Sequence, residues 1–184
     1  MASPGQLTTP ELQAVLREGQ FEGSWVLDAT RSQVRLNTRH TWGLLPLHGV
    51  FRQVTGSGTV AANGDVSGIL TVAAESVDTK NSTRDKHLRS ADFFDVDNHP
   101  EAILTVTSAT PIGPAQLRCQ GEFKAAGHSR PVAFTADIGE ATEQSAVVTA
   151  ELEVDRTEFG MTWGPLHMTS ATAYGTVTAR FVRG

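Results

Sequence analysis

The sequence predicts an all-β antiparallel fold, a sandwich or a barrel, and two observations lead to that prediction. From Trp25 onward, apolar and polar residues alternate in short runs, as expected for strands with one buried and one solvated face. Turn-forming segments separate these runs at residues 62–65 (ANGD), 111–114 (PIGP) and 126–128 (AGH). Many short strands divided by such turns are typical of sandwiches and barrels, and the even run of strands favours a barrel.

A short helix is predicted ahead of the strands, over residues 8–19. Thr8 and Glu11 have the spacing of a capping box, and Gly19 can end the helix. We expect its apolar stripe to dock on the barrel. A partner-binding or membrane-surface helix is the alternative, disfavoured because the helix is short and carries little positive charge. The stripe consists of Leu12, Val15 and Leu16.

The strand periodicity predicts which side chains point inward. These residues are mostly small or medium-sized, and a barrel of about eight strands either just fills its interior or holds one ligand. Their modest size favours a cavity. The predicted inward set is Val34, Leu36, Val132, Phe134, Leu152, Val154, Val177 and Phe181.

Composition excludes several classes of protein. The chain has 184 residues, enough for one domain, and a net charge of −5 without a lysine or arginine cluster. Nucleic acids and anionic membrane surfaces are therefore disfavoured partners. Cys119 cannot form an internal disulfide and is predicted to be a small packed residue. The polar N-terminus lacks a Sec signal, and no run reaches the ~18–20 apolar residues of a membrane span, so we expect a cytoplasmic protein.

Residues 76–100 stand out because they combine five acids, four bases, two histidines and a Phe-Phe pair between two strand-like runs. This segment resembles the signature of the YceI-like family. The matching residues are Ser76, Asp78, Thr79, Asn81, Arg84, Asp85, His87, Leu88, Arg89, Ser90, Asp92, Phe93, Phe94, Asp95 and Pro100. Further matches are residues 155–161 (DRTEFGM), 25–36 and 49–51, and His40, so the resemblance covers roughly residues 25–182.

The resemblance implies a lipocalin-like up-and-down antiparallel β-barrel that binds polyisoprenoid lipids. We accordingly expect an N-terminal extension at residues 1–24, a barrel at residues 25–184 and a short helical turn within residues 76–100. Many family members are exported, and the polar N-terminus of this chain departs from that pattern.

The expected function is non-enzymatic binding, storage or transport of a long apolar ligand in the barrel, by resemblance an isoprenoid quinone or polyprenyl phosphate. No cofactor, nucleic-acid partner or stable membrane insertion is expected. Homodimerisation is compatible with the sequence, which does not specify it. The alternatives are a small-molecule enzyme or metal site around His40, His48 and His87, or a stress-response interaction module with a filled barrel.

Two apolar loop segments, residues 41–47 and 159–168, are predicted either to plug the barrel or to line a ligand mouth. We expect an elongated pocket opening between residues 42–45 and 161–168. The candidate ligand-binding residues are His40, Trp42, Leu44, Leu45, Phe51, Arg84, His87, Phe93, Phe94, Phe159, Met161, Trp163 and Met168.

The charged residues of the signature segment have two interpretations. Asp85 and His87 could orient one another for acid–base chemistry. The structural interpretation is favoured: Asp85 and Asp92 cap the helical turn, and Arg84 and Arg89 bind nearby acids and carbonyls. Phe93 and Phe94 are expected to place one ring in the barrel end and the other against its outer wall.

No catalytic or metal-binding motif accompanies these residues. The sequence contains no GxSxG, P-loop, GxGxxG or HExxH pattern. We therefore predict no catalytic residues and no metal ligands.

Overall fold

A computed structural model describes residues 9–38, 47–164 and 170–184. It contains two α-helices, α1 (Thr9–Arg17) and α2 (Ser82–Arg89). The strands are β1 (Gly23–Leu27), β2 (Gln33–Asn37), β3 (His48–Phe51), β4 (Val54–Val60), β5 (Val66–Ala73), β6 (Val77–Asp78), β7 (Glu101–Gly113), β8 (Gln116–Ala125), β9 (His128–Ala141), β10 (Ser145–Asp155) and β11 (Thr172–Arg183).

Eight antiparallel strands close into a barrel in the order β1-β4-β5-β7-β8-β9-β10-β11, and β1 pairs with β11 to complete the ring. Leu27 lies opposite Phe181 at this closure. The other three strands branch from the ring, because β2 pairs with β11 beside β1, and β3 and β6 extend it. The predicted antiparallel barrel is confirmed, and closure leaves the eight ring strands without a free edge.

Side-chain alternation confirms the predicted inward set. Val34 and Leu152 are buried, and the other six predicted residues are partly buried. Bulges at Thr107 in β7 and at Gly139 in β9 interrupt the alternation, and a further register shift lies at Ile112 near the end of β7. Each bulge turns the following residues to the opposite face, so Ala109 and Ala141 face the interior as well.

Two of the three predicted turns are at the expected residues. The β8–β9 hairpin turns on Ala126 and Gly127, whose φ values of 46° and 77° fit the primed turn favoured by right-handed strand twist. The β4–β5 turn contains Gly64 at φ 87°. The third turn lies later than predicted, because β7 runs through Pro111 to Gly113 across a register shift that accommodates the proline.

Helix α1 packs against one end of the barrel, as predicted. Leu12 and Leu16 are buried in a cluster with Trp25, Val60 and Leu117. Gly19 follows the helix in the left-handed region at φ 75°. We call this the helix-capped end; the opposite end, where α2 and the segment 156–163 lie, is the loop end. The predicted Thr8–Glu11 capping box falls outside the described side chains.

Cys119 packs into the same cluster at the helix-capped end, with 4% of its surface exposed. Burial raises the pKa of its thiol to about 11. The prediction of a packed cysteine is confirmed. Within the described ranges, no helix has both the length and the apolar character required to cross a bilayer.

Candidate functional site

The barrel interior contains a cavity of about 210 Å³ at the helix-capped end, which we call the apolar cavity. All eight ring strands contribute to its wall, and α1 covers it with Leu12 and Leu16. No charged residue lines it within the part of the chain that the structure describes. Much of the wall consists of small side chains: Gly58, Gly68, Ala109, Cys119, Ala136, Ala141, Ala146, Ala150 and Ala179.

Paired glycines help to create this space. Gly58 in β4 and Gly68 in β5 are direct partners in the sheet, and both line the cavity. A Cβ added to Gly68 would lie 2.9 Å from the carbonyl oxygen of Ser57, too close without movement of the strand. The sequence therefore leaves two adjacent inward positions without side chains.

A second cavity of about 280 Å³ lies at the loop end, and we call it the loop-end cavity. Its wall combines apolar side chains with two guanidinium groups and an imidazole. The lining residues are Leu36, Thr38, Leu47, Arg84, His87, Leu88, Phe93, Phe94, Arg156, Met161, Trp163, Ser170 and Ala173. The two cavities share no lining residue, so the described residues enclose two separate compartments. The predicted opening between residues 42–45 and 161–168 lies largely outside the described residues.

The predicted ligand-binding residues fall into three groups. Six of them line the loop-end cavity: Arg84, His87, Phe93, Phe94, Met161 and Trp163. Phe51 and Phe159 lie in the core, where Phe51 contacts Phe94 and Phe159 contacts Phe123 at ring-centroid distances of 5.7 and 5.3 Å. The remaining five fall outside the described residues: His40, Trp42, Leu44, Leu45 and Met168.

An aromatic cluster forms one side of the loop-end cavity. The ring centroids of His87 and Trp163 are 4.3 Å apart, and those of His87 and Phe93 are 5.1 Å apart. Phe93 and Phe94 both line the cavity, so the expectation that one of these two rings packs against the outer wall is wrong. Trp163 remains 44% exposed, so part of the cluster faces solvent.

His87 has a different acidic partner from the one predicted. Its Nε2 lies 3.0 Å from Oδ2 of Asp92, whereas Asp85 Oδ1 accepts hydrogen bonds from the backbone N–H and hydroxyl of Thr79. The proposed Asp85–His87 pair is therefore wrong. Side chains three or four residues apart lie on the same face of a helix, but Asp85 and His87 are only two residues apart.

The N-cap of α2 is Asn81, whose Oδ1 accepts a hydrogen bond from the backbone N–H of Arg84 at 3.0 Å. The prediction that Asp85 and Asp92 cap this helix is consequently wrong. Asn81 has the extended backbone that an N-cap requires, whereas Asp85 lies inside the helix and reaches back to Thr79.

The two arginines of α2 fix the preceding chain. Arg84 donates to the hydroxyl and carbonyl oxygens of Thr79 at 2.7 and 2.8 Å. Arg89 donates to the carbonyl oxygens of Glu75 and Val77 at 2.6 and 2.8 Å. These bonds confirm the structural role predicted for the signature arginines.

Sequence reasoning did not select Arg156, although it lies in the matched segment 155–161. Its Nε donates to the carbonyl of Ser170 at 2.9 Å, and its Nη1 donates to the carbonyls of Met161 and Trp163. The guanidinium also lies 5.9 Å from the ring centroid of Phe93. Burial lowers the pKa of Arg156, and the nearby Asp155 carboxylate opposes that shift. Arg156 thereby orders the segment that carries Trp163.

The described residues give little support to a metal centre. They contain no group of three or more histidine, cysteine or acidic side chains arranged to hold a metal ion. His48 Nδ1 lies 3.0 Å from Oδ1 of Asn37, on the exposed surface. The postulated partner His40 falls outside the described residues.

Comparison with known proteins matches the YceI-like domain to residues 25–182. A UPF0312 protein of Ectopseudomonas mendocina (strain ymp) is 37% identical over 97 residues, a match that spans 51% of this chain and 51% of the relative. This chain thus spans about half the length of that curated relative.

Several solved structures share the fold, among them the following two. BcnA of Burkholderia cenocepacia superposes with a TM-score of 0.73 at 17% identity, over 86% of this chain and 99% of that one. A polyisoprenoid binding domain from Saccharophagus degradans, implicated in plant cell wall breakdown, gives 0.68 at 14% identity, over 87% of this chain and 98% of its own.

Proposed function

The chain belongs to the YceI-like domain family, and from that premise we propose that it is a non-enzymatic carrier of a long apolar ligand. The ligand class is a polyisoprenoid, such as an isoprenoid quinone or a polyprenyl phosphate. The solved domain from Saccharophagus degradans, described as polyisoprenoid binding, has the same fold and supports this class.

The observation that carries the proposal is the apolar cavity inside the closed barrel. Its described lining residues are uncharged, so the cavity offers a hydrocarbon chain an environment without competing polar groups. Each methylene group moved from water into such a space gains about 0.8 kcal/mol. Apolar area and shape alone can therefore supply the affinity for a long chain.

The loop-end cavity suits the polar end of the same ligand. Arg84 and Arg156 bring positive charge to its wall, and the rings of Phe93 and Trp163 offer apolar faces. An anionic phosphate would be attracted by the guanidinium groups, and a quinone ring could pack on the aromatic faces. In this proposal the ligand spans the barrel, and the core side chains between the two cavities move apart to let the chain pass.

Extraction of the purified protein tests the proposal. We expect an organic extract of untagged protein from its native host to contain a compound with repeating isoprene units, at close to one molecule per chain. The extract of an equally purified, heat-unfolded and washed sample is the control for surface contamination. An extract without stoichiometric lipid, from protein whose barrel is folded, would contradict the carrier function.

A further inference from the structure

Among the described residues that line the apolar cavity, only Leu12 and Leu16 of α1 lie outside the barrel strands and the turn before β1. Leu12 and Leu16 face the cavity and remain only 3% and 8% exposed. The region matched to the YceI-like domain begins at residue 25, so this cover is added to the matched barrel. A chain that extends along the barrel from the loop end meets these two leucines at its far end.

The connection behind α1 is fixed to the barrel by Arg183. Its guanidinium donates to the carbonyl oxygens of Gln20 and Glu22 at 3.0 and 2.6 Å and lies 5.0 Å from the ring centroid of Trp25. Residues 20–22 are thus held in place by β11. Movement of α1 would have to occur upstream of them.

Gly19 is the natural pivot for that movement. It lies between α1 and the fixed residues, in the left-handed region at φ 75°, which side-chain-bearing residues rarely adopt. The backbone N–H groups of Gly19 and Gln20 bond to the carbonyl oxygens of Leu16 and Val15 at 3.3 Å, longer than the 2.7 Å bond from Glu18 to Ala14 within the helix end. A change in φ and ψ at this residue swings α1 without disturbing the barrel.

We propose that Leu12 and Leu16 determine the chain length of the bound ligand, because they occupy the space that the tail of a long chain needs. This inference rests on the proposed function. With α1 docked, the cavity of about 210 Å³ is small against the ~300–1,000 Å³ typical of ligand sites. A short chain fits beneath α1, and a long chain replaces the two leucines and displaces the helix.

Replacing the two leucines with the tail of the ligand changes the free energy little, so the length of the ligand chain decides whether α1 is displaced. Two leucine side chains bury about as much apolar surface as a few methylene groups of the ligand, so one or two additional isoprene units can substitute for them. Helices held by few buried contacts also detach more readily than the strands of a closed barrel.

The test compares two uncharged polyprenols, the three-unit alcohol farnesol and the nine-unit alcohol solanesol, on the full chain. The Leu16→Asp variant should detach α1, since its carboxylate opposes burial but can move into water with the helix. We expect Leu16→Asp to bind solanesol about tenfold more tightly than wild type and to leave farnesol unchanged or weaker. Ala14→Asp places the same charge on the exposed face of α1 and should leave both affinities unchanged.

Two further readouts make the result unambiguous. Cys119 lies beneath α1 and is the single cysteine of the chain, so faster labelling by N-ethylmaleimide in Leu16→Asp verifies that the helix has moved. In wild type, amide hydrogen exchange within residues 12–18 should be faster in the solanesol complex than in the farnesol complex.

Equal changes in affinity for both alcohols in Leu16→Asp would overturn the role of α1 without affecting the carrier function. Equal rates of amide hydrogen exchange within residues 12–18 in the two complexes would do the same. Failure of both alcohols to bind to wild type and to both variants would overturn the carrier function, and this inference with it.

Discussion

Asp85 accepts two hydrogen bonds from Thr79, one from its backbone N–H at 2.9 Å and one from its hydroxyl at 2.5 Å. These are the two buried polar or charged residues among those the structure describes. This pair fixes the start of the signature segment to α2, so substitutions of Asp85 and of Arg84, which also bonds to Thr79, test how the segment is held.

Replacing Asp85 with alanine should destabilise the protein. The change leaves two buried donors of Thr79 without their acceptor, which costs about 1–3 kcal/mol. Urea unfolding measures the change, and Asp97→Ala, at an exposed position of the same segment, is the matched control. Equal unfolding midpoints for Asp85→Ala and wild type would show that the pair does not hold the segment.

Arg84→Ala should destabilise the protein through the same network. Arg84 donates to the Thr79 hydroxyl that in turn donates to Asp85, so the truncation removes charge-assisted bonds worth about 1–3 kcal/mol. Calorimetric melting, with Arg118→Ala on the exposed face of β8 as control, measures the loss. An unchanged melting temperature together with lost ligand affinity would instead make Arg84 a contact of the ligand's polar end.

Trp163→Ala should reduce ligand affinity more than it reduces stability. Trp163 is 44% exposed yet lies 4.3 Å from the His87 ring at the loop-end cavity, so little burial is lost on truncation. Parallel measurements of the ligand dissociation constant and the melting temperature separate the two effects. Ile112→Ala is the control, because it removes an exposed apolar side chain at the helix-capped end. A sharp fall in melting temperature with unchanged affinity would identify Trp163 as a plug.

Acid should remove the stability contributed by Asp78. The Arg52 guanidinium, followed by the backbone N–H of Lys80, holds the pKa of Asp78 well below its ordinary value. Because the folded pKa is depressed, the contribution is present above the unfolded pKa of about 3.9 and disappears as pH falls towards the folded value.

The comparison of Asp78→Asn with wild type measures this effect. The stability difference between them should be present at neutral pH and shrink progressively below about pH 4. Glu75→Gln, at a neighbouring exposed position, is the control for removing one negative charge from this region. A difference that is constant across the acid range would mean that the carboxylate charge does not contribute.

Period-two alternation predicted antiparallel strands and their inward residues but left a sandwich and a barrel open, and the even run of strands and the family resemblance favoured the barrel. Alternation could not reveal the bulges at Thr107 and Gly139, which depend on register with neighbouring strands. The inward positions of Ala109 and Ala141, and hence part of the apolar cavity, were missed for that reason.

The candidate site was predicted less completely than the fold. Sequence identified six of the residues that line the loop-end cavity but not Arg156. The acid–base alternative paired His87 with Asp85, whereas the turn after α2 brings Asp92 to His87. The sequence also predicted one elongated pocket, whereas the described residues enclose two cavities. The packing of Phe51 in the core against Phe94 depends on tertiary contacts that local patterns do not encode.

The central claim is that the barrel interior holds the ligand, and filling that interior tests it most directly. Ala136 lies in the wall of the apolar cavity with 2% of its surface exposed, whereas Ala133 lies on the exposed face of the same strand. Ala136→Phe therefore projects a ring into the cavity, and Ala133→Phe adds the same ring outside the barrel.

Native mass spectra of wild type, Ala136→Phe and Ala133→Phe, purified identically from the native host, provide the measurement. If the ligand lies inside the barrel, a bound lipid should be present on wild type and Ala133→Phe and lost from Ala136→Phe, whose folded charge-state distribution should be unchanged. The same lipid mass on all three proteins, or its absence from folded wild type, would contradict binding inside the barrel.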